Sequence, residues 1–260
     1  MIIIIIIVFI PILYMILVSL TLPGKLFERI IPKSFSFENY EIILRDLKNL
    51  RYYMNSWVIG IGVGIITLIL SSIGAYGLSR FEFKLKNIFI MFILMTQMLP
   101  AALLVISYFK IVNKVGLYNT YWAVILVDST RTIPFVTLML KSIFGSIPKE
   151  IDESAMMDGC SRISIFTTMI LPLARAGLFA GFIFTFLETY GELLYALTLT
   201  KDITSMPATV QMVWLLGRYM IRWETMIPLA ILFSIPILII FAFSQDAFIK
   251  GLTAGSLKEG

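Results

Sequence analysis

In a chain this apolar, the side chains able to do chemistry are few enough to name. Apart from Arg175, which can snorkel to the interface at one end of its stretch, four charged residues fall inside or at the edge of apolar stretches: Asp128, Arg131, Glu188 and Glu192. A charge at membrane depth is costly, so such groups either neutralise one another or mark a path for ions, protons or solute. Asp128 and Arg131 stand three residues apart, which on a helix puts opposite charges on one face as an intramembrane ion pair. The chain has no His, and Cys160 is its single cysteine. That removes the commonest general base, an intrachain disulfide and a cysteine zinc cluster, and no metal site is expected. A membrane-embedded enzyme would need a cluster of nucleophiles, acids or metal ligands, and the sequence supplies none. An ion- or proton-coupled carrier, with these four residues as its relay, is the alternative that the charges leave open.

The elements that must position them are membrane helices. Of 260 residues, 59% are hydrophobic and 14% charged, and the mean hydropathy is +0.93; the natural solvent of such a chain is a bilayer. Apolar stretches run over Met1–Leu22, Trp57–Leu78, Ile88–Phe109, Thr120–Leu140, Ile170–Tyr190 and Thr225–Phe243. Each is near the roughly 20 residues that carry a helix across about 30 Å of hydrocarbon. We therefore expect an all-α, polytopic membrane protein of about six spans, with residues 1–260 forming one domain. The first stretch lacks a basic flank and a small-residue cleavage site, so it is expected to persist as a helix, with a short basic leader ahead of Met1. Gly60 with Gly64, and Gly177 with Gly181, are small-xxx-small pairs that let helices approach closely.

The net charge of +5 and pI near 9.2 come from Lys and Arg in short loops, where anionic headgroups rather than nucleic acid are the expected contact. A raw count of basic residues does not orient the spans. Their density does favour a cytoplasmic connection around Arg80, Lys84 and Lys86.

One loop is patterned. Residues 146–172 read as helix, sharp turn, helix. Pro148 suits a first helical turn, and Glu150, Asp152 and Glu153 complement the positive end of the helix dipole. Ile151 and Ala155 share a face. Asp158-Gly159 supplies a stop, Ser161 a new N-cap, and Leu171-Pro172 the re-entry into the membrane. A short helix laid across the end of a bundle can pass force from a soluble partner to the spans.

This loop resembles the coupling loop of permease subunits of ATP-binding-cassette importers. That loop reads Glu-Ala-Ala, three residues, Gly, nine residues, Ile, one residue, Leu-Pro. Here it is Glu153-Ser154-Ala155, then Gly159, then Met169, Ile170, Leu171 and Pro172, with the spacing kept and Ser154 and Met169 as the departures. The likeness runs along the chain to the carbohydrate branch that includes the shorter maltose permease subunit. It takes in Glu38-Asn39-Tyr40, Asn55-Ser56, Ala75 to Phe81, Leu99-Pro100, Gly116-Leu117, Ile147 to Glu150, Leu194 to Leu197 and the tail Lys250 to Lys258.

The resemblance implies a type I importer permease fold with a cytoplasmic coupling helix and both termini cytoplasmic in the plasma membrane. It implies a second homologous permease, two ATPase subunits and an extracytoplasmic solute-binding protein as partners. ATP would bind the ATPase subunits, since Gly24-Lys25 lacks the upstream spacing of a phosphate loop and no cofactor is expected on this chain. Glu153, Ser154 and Asp158 would touch the ATPase, Ala155 would pack closely, Gly159 would make the turn, and Leu171 and Pro172 would end the loop. The solute would be a sugar or oligosaccharide. Aromatic, hydroxyl and amide groups suit such a solute, which makes Tyr190, Gly191, Glu192, Tyr195 and Gln211 candidates near the outer end of the fifth span. Trp214, Tyr219 and Trp223 fit an interfacial belt, and the loop from Leu197 to Arg222 is placed to meet the binding protein.

Overall fold

A computed structural model describes residues 2–22, 35–216 and 223–253. Expectations resting on Gly24, Lys25, Tyr219, Arg222 and the tail beyond Thr253 lie outside the described residues. All regular structure in the described residues is helical. Helix α1 spans Ile2–Ser19 and α2 Glu38–Arg45; α3, Leu47–Arg80, is capped by Asp46, whose carboxylate accepts from the Lys48 amide. Then follow α4 (Lys86–Gln97), α5 (Ala101–Lys114) and α6 (Tyr121–Ser146), the last capped by the Thr120 hydroxyl.

Continuous helices long and apolar enough to cross a membrane are α3, α6 and the Trp223–Phe243 part of α13, which itself runs Trp223–Thr253. Two bent pairs of helices each have the length and composition of a span when taken together. The uninterrupted helix expected over Ile88–Phe109 is broken: α4 and α5 meet at 94° across Met98, Leu99 and Pro100. Pro100 has no N–H to give to the turn before it and forces Leu99 out of helical backbone, so the helix stops and restarts. The second pair is the return from the patterned loop into α10 (Arg175–Tyr190), bent by 77°. Among the described residues these make three continuous spans, or five with the bent pairs; α1, 18 residues and about 27 Å long, covers the remaining apolar stretch of the six expected and is short for a span.

The centre of the bundle is α3 against α6, running parallel. Their contact is zipped by polar groups at three depths. Asn55 Oδ1 accepts from the Tyr121 hydroxyl at 2.7 Å, Thr67 and Thr132 hydroxyls share a bond of 2.7 Å, and Ser71 donates to the Ile133 carbonyl at 3.1 Å. In an apolar medium such bonds hold helices together where hydrophobic burial adds little. Helix α10 packs antiparallel onto both. A Cβ on Gly60 or Gly64 would come within 2.9 or 2.6 Å of the Phe186 or Phe182 ring, and one on Gly177 within 2.5 Å of Ile143. The first glycine pair thus admits the rings of α10, and the second admits aliphatic side chains of α6.

Candidate functional site

Two charged constellations sit at different depths. The first is built where α3 and α6 end. There α7 (Glu150–Met157) lies across the bundle, followed by a turn at Asp158–Cys160 and by α8 (Arg162–Ile165), capped by Ser161, whose hydroxyl accepts from the Ser164 amide. Gly159 has φ +82°, a left-handed conformation that L side chains resist, so the turn depends on glycine. Its amide donates to Met156 O, and the Cys160 amide reaches back to Ala155 O at 3.0 Å. Ala155 is buried in a cluster with Phe144, Ile165 and Ile170.

Beside Ala155, Asp152 points inward. Its carboxylate meets the Arg80 guanidinium at 3.0 Å, with the side chains only 8% and 4% exposed. Arg80 Nη1 also donates to the Ile147 carbonyl at 3.1 Å, and the Tyr76 hydroxyl lies 3.4 Å from Asp152 Oδ1. Arg162 stacks its guanidinium 5.0 Å from the Phe81 ring, and Tyr76 packs on Phe166. The last turn of α3, the exit of α6 and the crossing helix are therefore one joint. Sequence reading assigned Asp152 to the helix dipole and Arg80 to the lipid headgroups; burial against each other is what the structure shows.

The opposite face of this segment is open. Glu153, Ser154, Met156, Met157 and Asp158 are exposed, with Met157 at 88% and Ile163 at 77%. Ser154 turns its hydroxyl back to Ile151 O. Beyond α8 the chain widens into a π turn over Phe166–Ile170, in which the Leu171 amide reaches Phe166 O. Pro172, in the short α9 (Leu171–Leu173), lacks the amide that would restore tighter spacing. The bend at Ala174 follows, and Arg175 opens α10 with its side chain exposed.

The second constellation lies halfway along α6. Arg131 Nε donates to Asp128 Oδ1 at 3.0 Å, and Arg131 Nη1 donates to Glu188 Oε2 at 2.6 Å, so α10 contributes a second carboxylate to the same guanidinium. Asp128 is fully buried, whereas the Arg131 and Glu188 side chains are 32% and 45% exposed. They face a cavity of about 550 Å³ bounded by Thr96, Gln97 and Leu99 at the α4–α5 break, by Tyr108, Thr130, Pro134 and Phe135, and by Phe184 and Tyr195. Tyr108 meets Tyr195 edge to face with ring centres 5.7 Å apart, and its hydroxyl shares a hydrogen bond with that of Thr130. A broken helix opening onto a polar cavity at mid-depth is a recurrent place for a transporter to hold solute.

The expected solute contacts, Tyr190, Gly191, Glu192, Tyr195 and Gln211, are not brought together. Of them only Tyr195, in α11 (Leu194–Leu199), bounds the cavity. Tyr190 is a core ring, stacked 4.1 Å from Phe233 and packed on Phe186 and Trp57. Gly191 ends α10, and Glu192 caps α11, its carboxylate accepting from the Tyr195 and Ala196 amides. Gln211, in α12 (Ala208–Leu215), donates to Asn49 and borders a separate, apolar hollow of about 240 Å³ between α2, α3 and α13. Asp128 and Arg131 could be paired from their spacing; the addition of Glu188, 57 residues away, needed the fold. Among the described residues no group of His, Cys, Asp and Glu is placed to hold a metal.

The helices thus carry a short helix packed on the ends of α3 and α6 and, away from it, a cavity bordered by Arg131 and Glu188. Residues 68–254 match the binding-protein-dependent transport system inner membrane component family, and the chain belongs to it. It is 34% identical over 252 residues to the trehalose/maltose transport system permease protein MalG of Thermococcus litoralis, covering 95% of this chain and 91% of that one. It is 30% identical to the diacetylchitobiose uptake system permease protein DasC of Streptomyces coelicolor, over 87% and 82%. Among solved structures, a bacterial ABC transporter that imports the acidic polysaccharide alginate superposes with a TM-score of 0.83 at 20% identity, covering 95% of this chain and 92% of that one. The MetNI methionine ABC transporter gives 0.61 at 16%, over 84% and 99%. The fold is that of ABC importer permeases, and the chain is a transport subunit rather than an enzyme. The ion-coupled alternative finds no support in these relatives.

Proposed function

We propose that this permease conducts a sugar or oligosaccharide through the cavity at Arg131 and Glu188, and is driven through the 146–172 segment by ATPase subunits that bind the nucleotide. The carrying observation is the joint at Arg80 and Asp152: a crossing helix with a buried inner face anchored to two spans and an outer face of Glu153, Ser154, Met157, Asp158 and Ile163 left open. Exposed Met and Ile flanked by acids are what a protein partner covers, and docking there accounts for them. The sugar class follows from the names of relatives that transport trehalose, maltose and diacetylchitobiose.

A second, homologous permease completes the path. Its seat is the flank formed by α4 and the break, where α4 has no buried residue and Phe92, Met98 and Leu103 stand exposed beside the mouth of the cavity. The coupling end is cytoplasmic, and both chain termini lie on that side. An extracytoplasmic binding protein delivers solute at the opposite end, to the segment expected there from Leu197 to Arg222. ATP-driven closure of the ATPases would move the crossing helix and alternate the cavity between the two sides.

The test is reconstitution of the four-subunit complex with its binding protein. Solute-stimulated ATP hydrolysis is expected, and Gly159→Pro, which cannot adopt φ +82°, should abolish the stimulation while the subunits still co-purify. Full stimulation in that variant would rule the segment out as the coupling element.

A further inference from the structure

The two charged groups that border the cavity, Arg131 and Glu188, are not balanced by each other alone. Arg131 holds Asp128 Oδ1 at 3.0 Å and Glu188 Oε2 at 2.6 Å, so one guanidinium serves two carboxylates. Glu192 adds a third acid behind Tyr195, on the α11 cap. The remaining cavity wall combines the rings of Tyr108, Tyr195, Phe135 and Phe184 with aliphatic residues such as Leu99 and Leu104, hydroxyls and the Gln97 amide. We infer that this cavity is a charge filter: its surplus carboxylate repels acidic solutes and, with its aromatic walls, selects uncharged saccharides. Glu188 is the residue that sets the sign.

The physical reasoning has two parts. Asp128 is fully buried and Arg131 is bonded to it within the same helix, so that pair is neutral as seen from the cavity. Glu188 comes from a different helix and is 45% exposed; its charge is the one that the solute meets. One guanidinium with two carboxylates leaves one net negative charge, and in a space with low-dielectric walls a net charge is felt across the whole cavity, since field lines are confined there rather than spread through water. Neutral sugars feel only the hydrogen-bonding groups and the aromatic faces, for which they are suited. The importer that superposes on this fold carries an acidic polysaccharide, so fold alone does not set the charge of the cargo, and side chains at this depth must.

This inference rests on the cavity being the solute path, and the test separates the two. In the assembled complex, with Cys160→Ser as background, Thr130→Cys places a thiol on the cavity wall beside Arg131. Its rates of modification by a cationic and by an anionic methanethiosulfonate reagent are measured, each normalised to the reagent's rate with a free small thiol. The complex without Thr130→Cys supplies the blank. The cation is expected to react about tenfold faster than the anion at low salt, the preference shrinking as salt rises. Glu188→Gln, which keeps the side-chain shape and a group facing Arg131, should bring the two rates close to parity. Equal rates in the parent, faster reaction of the anion, or an unchanged preference in Glu188→Gln would each overturn the charge filter while leaving the path intact. No reaction with either reagent would show a cavity closed to water and overturn both.

Discussion

Arg80 and Arg131 solve one problem, a guanidinium in a membrane protein, in opposite ways. Arg80 is sealed: its side chain is 4% exposed, its carboxylate partner 8%, and the pair joins the end of α3 to a helix 70 residues further along the chain. Arg131 is open: one carboxylate holds it from behind, another from the side, and a third of its surface faces the cavity. A sealed pair has one geometry, because each charge is stranded if the other moves. An open pair can exchange a partner for water or solute at little cost. The first is suited to passing displacement and the second to meeting cargo.

This contrast can be broken most directly at Asp152. Asp152→Ala strands the Arg80 charge in a dry site, and loss of about 3–5 kcal/mol of stability is expected, read as a large fall in the thermal midpoint of the detergent-solubilised complex. Loss below about 1 kcal/mol would mean that water reaches the joint and that it is no sealed pair. Replacing both partners, Arg80→Met with Asp152→Leu, should recover most of that stability, since an apolar pair of similar volume needs no compensation. Coupling should not recover with it, because the bond to the Ile147 carbonyl goes too; the readout is solute-stimulated ATPase at restored stability. At the open site, Glu188→Ala should cost no more than about 1 kcal/mol, as for half-exposed pairs; a larger fall would move Glu188 into the structural class with Asp152.

The smallest effect is expected at Asp202, on the loop between α11 and α12. Hydrogen bonds from the Thr204 hydroxyl and amide, and then from Asn119, hold its carboxyl below the usual carboxylate range. Its folded pKa is depressed, so its contribution is present above the ordinary carboxylate value and is lost as pH falls through the depressed one. Asp202→Asn should therefore lower stability slightly at neutral pH and make no difference at the acid extreme, so that the acid limb of a stability-against-pH curve flattens; an unchanged acid limb would show that the loop's hydrogen bonds to this carboxylate add nothing to the fold.

Hydropathy marks the six apolar segments because a bilayer imposes length and polarity residue by residue. What it misses is continuity. Pro134, Pro228 and Pro236 lie inside unbroken helices, yet Pro100 ends one. The residue type alone does not separate these cases, since a proline is tolerated in a membrane helix wherever other groups satisfy the freed carbonyl. The turn at Gly159 was legible because an Asp-Gly stop followed by a Ser cap has one local meaning. The Arg80–Asp152 joint was not: Asp152 in the first turn of α7 is already accounted for by the helix dipole, and nothing in the spacing sends it to Arg80. Tyr190 shows the same limit from the other side, since a ring that stacks on Phe233 and one that stacks on a sugar are the same residue in the sequence.

The polar zipper between α3 and α6 has a mechanical consequence. Asn55 with Tyr121, Thr67 with Thr132, and Arg80 with the Ile147 carbonyl fasten the two helices near one end, at the middle and near the other. Two parallel rods pinned at three points behave as a single beam that resists bending and shear. With 26 residues in α6, the paired length is about 39 Å, and α3 runs on past it to Leu47. A few ångströms of tilt imposed at the Arg80 end must then reappear, with opposite sign, at the Leu47 end if the pivot lies near the middle, and strain must collect where the chain is already discontinuous, at Leu99-Pro100 and Ala174.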